Sequence, residues 1–332
     1  VSDGALAKAR RRIAPRPAKY LIAEHLEVCH GIRVRTMTQL DLGVYRVDRR
    51  DGPAWVARVF PASRPEEAAG GDAAILGVLA DHGYSSERAA VPDPLSVIDD
   101  QAVIVTECVA SVPQTERRDA IRAAGGLRRL GEMLGELQAM PADEAFARPG
   151  GGWHHLVDGS PRDEITAAQT LLEECAGLVL ASDREYYDGL RRELADLDGG
   201  DGLPQAPVHP DFVLANVVAT RDREMVVVDW AGAGTGPRLW PLAFLLWAEA
   251  ARNPARVDLV AEGYRRRIRL EPEELQRDRL EAMMRARPAL LAAWSFCLRR
   301  RSLPDALRDA VEAREIAEEA SRRAVAALSA PG

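Results

Sequence analysis

The stretch "VHPDFVLANVVATRDREMVVVDW", residues 208–230, constrains the fold most, because it is a β signal set inside a long helical context. Its runs "NVVAT" and "EMVVVD" flank Arg221-Asp222-Arg223 and pair as an antiparallel hairpin. That hairpin brings Asn216 and Asp229 to one end, with Asp211 in the loop before them. Asparagine and aspartate oxygens are hard ligands that suit Mg²⁺, which keeps several waters and takes further ligands from phosphates. Asp211 beside such an ion is a carboxylate free to take a hydroxyl proton.

The first third of the chain reads differently. From about residue 33 to 60, "RVRTMTQLD", "GVYRVDRR" and "AWVARVF" form an antiparallel meander, broken at Leu42-Gly43 and at Asp51-Gly52-Pro53. "RPEEAAGGDAAILGVLADHG" then has helical periodicity and stops at Gly83. "LSVID" and "AVIVTECV" pair around Asp99-Asp100. After Val109 long helical segments follow, near 116–140, 163–177, 182–197, 238–252, 256–268, 272–302 and 304–328, with the hairpin as the one convincing β signal among them. "RPGGGWHHLVDGSP" and "LDGGDGLPQAP" read as loops. The expectation is an α+β chain of two lobes: 1–109, a small antiparallel sheet with one main helix, and 110–332, larger and mostly helical.

A formal charge of -7 argues against a dedicated nucleic-acid surface, which needs a basic face to neutralise phosphates. No window approaches the roughly 18 uninterrupted apolar residues of a membrane span, and residues 1–20 lack a signal-peptide core, so a cytoplasmic protein is expected. Cys29, Cys108, Cys175 and Cys297 are scattered without CxxC spacing and read as buried or incidental thiols. Lysine occurs only at positions 8 and 19, so beyond them any cation needed at neutral pH is arginine.

His209, Asp211 and Asn216 fit HxDxxxxN, and Asp229 ends a strand thirteen residues later. With these residues the chain resembles the aminoglycoside phosphotransferase family of small-molecule kinases, which share the protein-kinase-like fold. Trp230 and "AGAGTGPRL" follow the strand-end aspartate in place of Phe-Gly, and no Ala-Pro-Glu signal comes later, which separates the chain from protein kinases. The resemblance implies Asp211 as catalytic base, Asn216 and Asp229 as Mg²⁺ ligands and His209 as a brace of the catalytic loop. It makes "LDLGVYRV", with Gly43, the nucleotide-covering turn, and Arg58 in "WVARVF" the cation on the nucleotide phosphates. Asp72 stands where the family has the glutamate that holds this cation, so an Arg58–Asp72 pair is expected. "VIVTECVAS" resembles the hinge whose main chain near Glu107 and Val109 bonds adenine. The cofactors implied are ATP, with GTP as the alternative, and Mg²⁺. The acceptor is a small hydroxylated molecule, an aminoglycoside-like antibiotic or a related metabolite, and the protein a monomer or homodimer.

Some neighbouring positions depart from the family. Pro210 stands where a glycine is usual, Phe212 and Val213 replace Leu-His, Gln138 occupies another Leu-His site, and Pro241 replaces an aspartate. These departures motivate a second reading, a catalytically impaired kinase-like protein that binds nucleotide or sequesters a small molecule. A third reading is a metal-dependent hydrolase using the same carboxylates. His154 and His155 read as loop histidines, and the clusters Arg265–Arg267 and Arg299–Arg301 as solvated helix faces rather than an anion grip. "GPRLWPLAFLLWAEA" reads as core under the hairpin.

Overall fold

The computed structural model describes residues 4–141, 143–152 and 159–330. Two helices precede the sheet, α1 (Ala5–Arg12) and α2 (Lys19–His30). Five strands follow, β1 (Val34–Asp41), β2 (Val44–Arg49), β3 (Trp55–Val59), β4 (Leu95–Ile98) and β5 (Gln101–Glu107), in the order β1-β2-β3-β5-β4, every neighbour antiparallel. Helix α3 (Glu66–Asp81) joins β3 to β4.

Alternation along β3 decides what faces the site. Trp55, Ala57 and Val59 are buried, pack with Ile22 and Leu26 of α2, and so cover one face of the sheet. A period of two then turns Arg58 to the other face, beside its register partner Ile104 of β5 and toward α3. Neither α1 nor α2 was legible as an element. Only Ile22 and Leu26 of α2 are fully buried, a stripe one turn long, while Tyr20, Leu21 and Val28 are exposed.

The second lobe holds α4 (Arg117–Ala123), α5 (Gly126–Gln138), α6 (Pro161–Glu174), α7 (Arg184–Ala195), α8 (Leu239–Ala250), α9 (Arg256–Arg265), α10 (Arg277–Met284), α11 (Ala286–Cys297) and α12 (Leu303–Leu328). The segment expected as one helix over 116–140 breaks at Gly125-Gly126, both at positive φ. The one over 272–302 breaks after Met284, because Pro288 in the first turn of α11 lacks an N–H and its ring excludes the carbonyl four residues back. Helix α8 is buried nearly all round, including Leu245 and Leu246, as a core helix must be. Helices α5 and α9 approach so closely that a Cβ on Gly263 would lie 1.9 Å from the Arg128 carbonyl oxygen. Arg266 and Arg267 lace the same pair of helices, through Glu132 and Glu136 of α5. None of the helices described is long and apolar enough to cross a membrane.

The hairpin forms as expected, β7 (Val217–Ala219) with β8 (Met225–Val227). A second pair, β6 (Gln205–Val208) with β9 (Gly234–Pro237), forms a separate two-stranded sheet. "QAPV" and "GTGP" carry the residues depleted from strands, so no propensity signal announced this ladder. Of the cysteines, Cys175 and Cys297 are buried and Cys29 is exposed. His154 and His155 lie outside the described residues.

Candidate active site

The chain passes from the end of β6 through His209, Pro210 and Asp211 into a short 3₁₀ turn, Leu214–Asn216, and on into β7. Beyond the ladder, Val228 N–H donates to the Asn216 carbonyl at 3.0 Å, which holds Asn216 beside Asp229. Asp229 has φ +70°, a left-handed conformation that a short polar side chain tolerates better than most. It is fixed from the first lobe as well, because its N–H donates to Glu87 Oε1 at 2.7 Å. Glu87 sits on the connection after α3 that is stitched to β8 at Ser85 and Val227.

His209 is fully buried. Its Nδ1 accepts from Asp211 N–H at 3.0 Å, and its Nε2 lies 3.1 Å from the Val228 carbonyl, so the tautomer that fits both carries its proton on Nε2. Trp230 meets its ring edge-on at a centroid distance of 4.7 Å, and Phe212 at 5.9 Å. Burial lowers the His209 pKa, with Asp229 and Asp211 opposing, and the ring stays neutral. Such a histidine ties the loop that carries Asp211 to the residue before Asp229. Both of its ring nitrogens are engaged by main chain, so neither faces a ligand.

The Asp211 carboxylate is held from two sides. Asn216 Nδ2 donates to Oδ2 at 2.9 Å and to the Asp211 carbonyl at 2.9 Å, while Arg287 Nη1 donates to Oδ1 at 3.0 Å. The other terminal nitrogen of Arg287 donates to the Pro210 carbonyl, and its guanidinium lies over Phe244, 4.6 Å from the ring centroid. With its amide nitrogen committed to Asp211, Asn216 has Oδ1 left for a cation.

Arg58 pairs with Asp229, Nη2 to Oδ1 at 2.8 Å. Burial pulls its pKa down, yet Asp229 and Glu87 outweigh that and hold it above its ordinary value. Glu87 is shifted upward by burial, against the pull of Arg58. The Arg58–Asp72 pair expected from the sequence is not formed. Asp72 Oδ2 is taken by Arg64 and Oδ1 by Arg148, each at 2.5 Å, and Oδ1 also accepts from Gly232 N–H at 3.0 Å. An aspartate is one methylene shorter than the family's glutamate, and two nearer guanidinia occupy it. Asp72 therefore links α3 to the segment after Asp229 and acts on Arg58 only at longer range.

Gly43, at φ +75°, closes the turn between β1 and β2, its carbonyl accepting from Val59 N–H at 2.7 Å. A Cβ there would lie 2.5 Å from the Val59 carbonyl oxygen, so only glycine fits. At the link between lobes, Glu107 N–H donates to the Arg88 carbonyl at 2.8 Å, which leaves the Glu107 carbonyl as the group able to meet a ligand.

The departures from the family pattern are absorbed locally. Gln138 Nε2 donates to the Arg238 carbonyl at 2.7 Å, and Tyr264 Oη donates to Gln138 Oε1 at 2.6 Å. Pro241 lies in the first turn of α8, where proline is tolerated.

Arg58, Asp211, Asn216 and Asp229 line one cleft of about 230 Å³, together with Arg12, Arg16 and Asp41. Sequence reasoning missed Arg287, Glu87, Arg12 and Arg16. Arg287 alone left a signal, a cation within the apolar run "RPALLAAW". Among the described residues no three His, Cys, Asp or Glu side chains gather as a metal site. A cation between Asn216 and Asp229 would complete its shell from water and phosphate, as Mg²⁺ does.

Residues 39–277 match the family model described as the phosphotransferase enzyme family. No curated protein matches the chain. Among solved structures, amicoumacin kinase hAmiN in complex with AMP-PNP, Ca²⁺ and Ami is 16% identical, covering 90% of this chain and 93% of that one at TM-score 0.59. Choline kinase LicA from Streptococcus pneumoniae is 13% identical, with 90% and 98% covered, at 0.59. A spectinomycin phosphotransferase in complex with ADP and spectinomycin is 13% identical, with 93% and 100% covered, at 0.59. At these identities the likeness is one of fold.

Proposed function

The chain belongs to the phosphotransferase enzyme family, and from that premise we propose that it transfers the γ-phosphate of ATP to a hydroxyl of a small molecule. The observation that carries this reading is the convergence of Asp211, Asn216, Asp229 and Arg58 on one cleft. Residues 1–109 act as the nucleotide lobe and 110–332 as the acceptor lobe, with α1 the exception because it packs on α6.

In this reading the Glu107 carbonyl and the main chain at Val109 meet adenine, and the Gly43 turn covers the phosphates. Asn216 and Asp229 hold Mg²⁺, which when bound neutralises and orients the phosphates. Arg58 offsets charge on the transferring group and steadies Asp229. Asp211, held by Arg287 and Asn216, orients the acceptor hydroxyl and takes its proton. The hydroxyl oxygen forms a bond to the γ-phosphorus while the bond to the β–γ bridging oxygen breaks and ADP leaves. Such catalysis is mostly positioning and electrostatic stabilisation, so the fixed network around Asp211 matters more than its basicity.

The neighbours' range, which includes amicoumacin, spectinomycin and choline enzymes, supports a small-molecule acceptor. Within that class the proposed acceptor is a hydroxylated antibiotic or metabolite. Following ATP consumption with Mg²⁺ across a panel of such compounds tests this. The reading expects turnover stimulated by an acceptor and lost in Asp211→Asn. Binding of Mg-ATP with no acceptor ever stimulating transfer would leave a nucleotide-binding protein, and phosphate release to water alone would leave a hydrolase.

A further inference from the structure

Helix α1 and the segment after it bridge the two lobes at the mouth of the cleft. At one end Glu174 of α6 caps α1, accepting from Ala5 N–H at 2.8 Å and Leu6 N–H at 2.9 Å. At the other end Arg16 Nε donates to the Val59 carbonyl, where β3 ends, at 2.9 Å. Two more main-chain carbonyls hold the same side chain, Ala14 to Nη1 at 2.6 Å and Arg12 to Nη2 at 3.3 Å. The guanidinium lies against the covering turn, its Nε 3.0 Å from where a Cβ on Gly43 would be.

We propose that Arg16, with Arg12 beside it, is a phosphate-binding residue of the nucleotide site. This rests on the reading of the cleft as a kinase site and adds a second source of positive charge to it. Three of the five N–H groups of Arg16 are used by carbonyls, which leaves one on each terminal nitrogen as a donor for phosphate oxygens. A cation is needed there. Arg58 is already paired with Asp229, and a triphosphate stays anionic after one divalent ion has bound. The turn also offers one glycine where a glycine-rich loop would supply more main-chain donors. Because the segment is tied to Val59 in one lobe and Glu174 in the other, phosphate bound to Arg16 would also set how far the lobes stand apart.

The experiment compares the affinities of ATP and adenosine, by calorimetry, for the wild type, Arg16→Ala and Arg16→Lys, with melting curves alongside. Arg16→Ala is expected to weaken ATP by about tenfold or more while adenosine binding stays within about twofold, and Arg16→Lys to recover part of the loss as a point charge without the fork. Equal weakening of both ligands in both variants would make Arg16 a structural brace and overturn the proposal. Tighter ATP binding in Arg16→Ala would also overturn it, by showing that the guanidinium obstructs the phosphates. A wild type that binds neither ligand would sink the kinase reading itself, whereas an unchanged ATP-to-adenosine ratio in Arg16→Ala defeats this inference alone.

Discussion

Arg287 on α11 donates to Asp211 Oδ1 at 3.0 Å from 76 positions down the chain, and its own side chain is 2% exposed. Asp211, the base in the proposed mechanism, is thus positioned by the C-terminal helices as well as by its own loop. Pro210, which breaks the family pattern, is part of the contact, because its carbonyl accepts from the same guanidinium. Replacing Arg287 by methionine keeps volume and removes both bonds. The expected result is a kcat lower by about 100-fold, the scale at which a 1 Å misplacement acts, with KM for ATP nearly unchanged. Arg287→Lys is expected to recover little, since one ammonium cannot make the planar two-point contact. Steady-state kinetics with a melting curve for each variant separate this from loss of fold.

Asp229 combines a charge with a left-handed backbone, and two substitutions separate them. Asn tolerates φ +70° and keeps a short polar side chain, so Asp229→Asn should fold normally while metal-dependent activity falls by about 100-fold or more. Asp229→Ala should lose activity and also about 1 kcal/mol of stability relative to the Asn variant, from the left-handed penalty. Titration of activity with Mg²⁺ and denaturant melts of both variants check this.

Gly43→Ala tests the covering turn. A methyl group meets the Val59 carbonyl oxygen at 2.5 Å on a backbone that disfavours it, so the turn must shift. The strain, about 1–2 kcal/mol, should lower Tm by roughly 2–3 °C, while KM for ATP should rise about tenfold under the proposal that this turn covers the phosphates. Equal KM values for the two proteins would remove the turn from the nucleotide site.

His209 predicts a direction for stability against pH. Burial depresses its folded pKa below the ordinary value, so as pH falls below about 6.5 the unfolded chain takes up a proton that the native ring refuses. Its contribution is complete above that pH and declines on acidification. Glu87 works in the opposite sense, since its raised pKa means that the native state loses stability as pH rises through the acidic range. A comparison with His209→Gln isolates the histidine: the stability gap between wild type and variant, read from denaturant melts, should narrow between pH 7 and pH 5. A constant gap would mean that His209 titrates alike in both states.

The sequence carried the ladder geometry and the residues at the hairpin end, because β periodicity and a polar residue at a strand terminus are local signals. Arg58 was legible for the same reason, a cation in an otherwise apolar strand. Its partner was not. Whether it meets Asp72 or Asp229 depends on one methylene and on two competing arginines, Arg64 and Arg148, from distant parts of the chain. Arg287 and Glu87 were hidden because each acts across a tertiary contact. The helices α1 and α2 were hidden because their apolar stripes are too short to stand out. What escaped was the set of side chains that hold the site in place.

The most direct test of the central claim is the rate of γ-phosphate transfer from Mg-ATP to an acceptor hydroxyl in a single turnover, wild type against Asp211→Asn. The variant keeps the size of the side chain but sets an amide nitrogen where one of the two oxygens accepted from Asn216 or Arg287; neither contact belongs to the nucleotide, so nucleotide affinity should be retained. The account predicts a transfer rate lower by about 100-fold or more with ATP binding within a few-fold of wild type. Transfer at the wild-type rate in Asp211→Asn would contradict it.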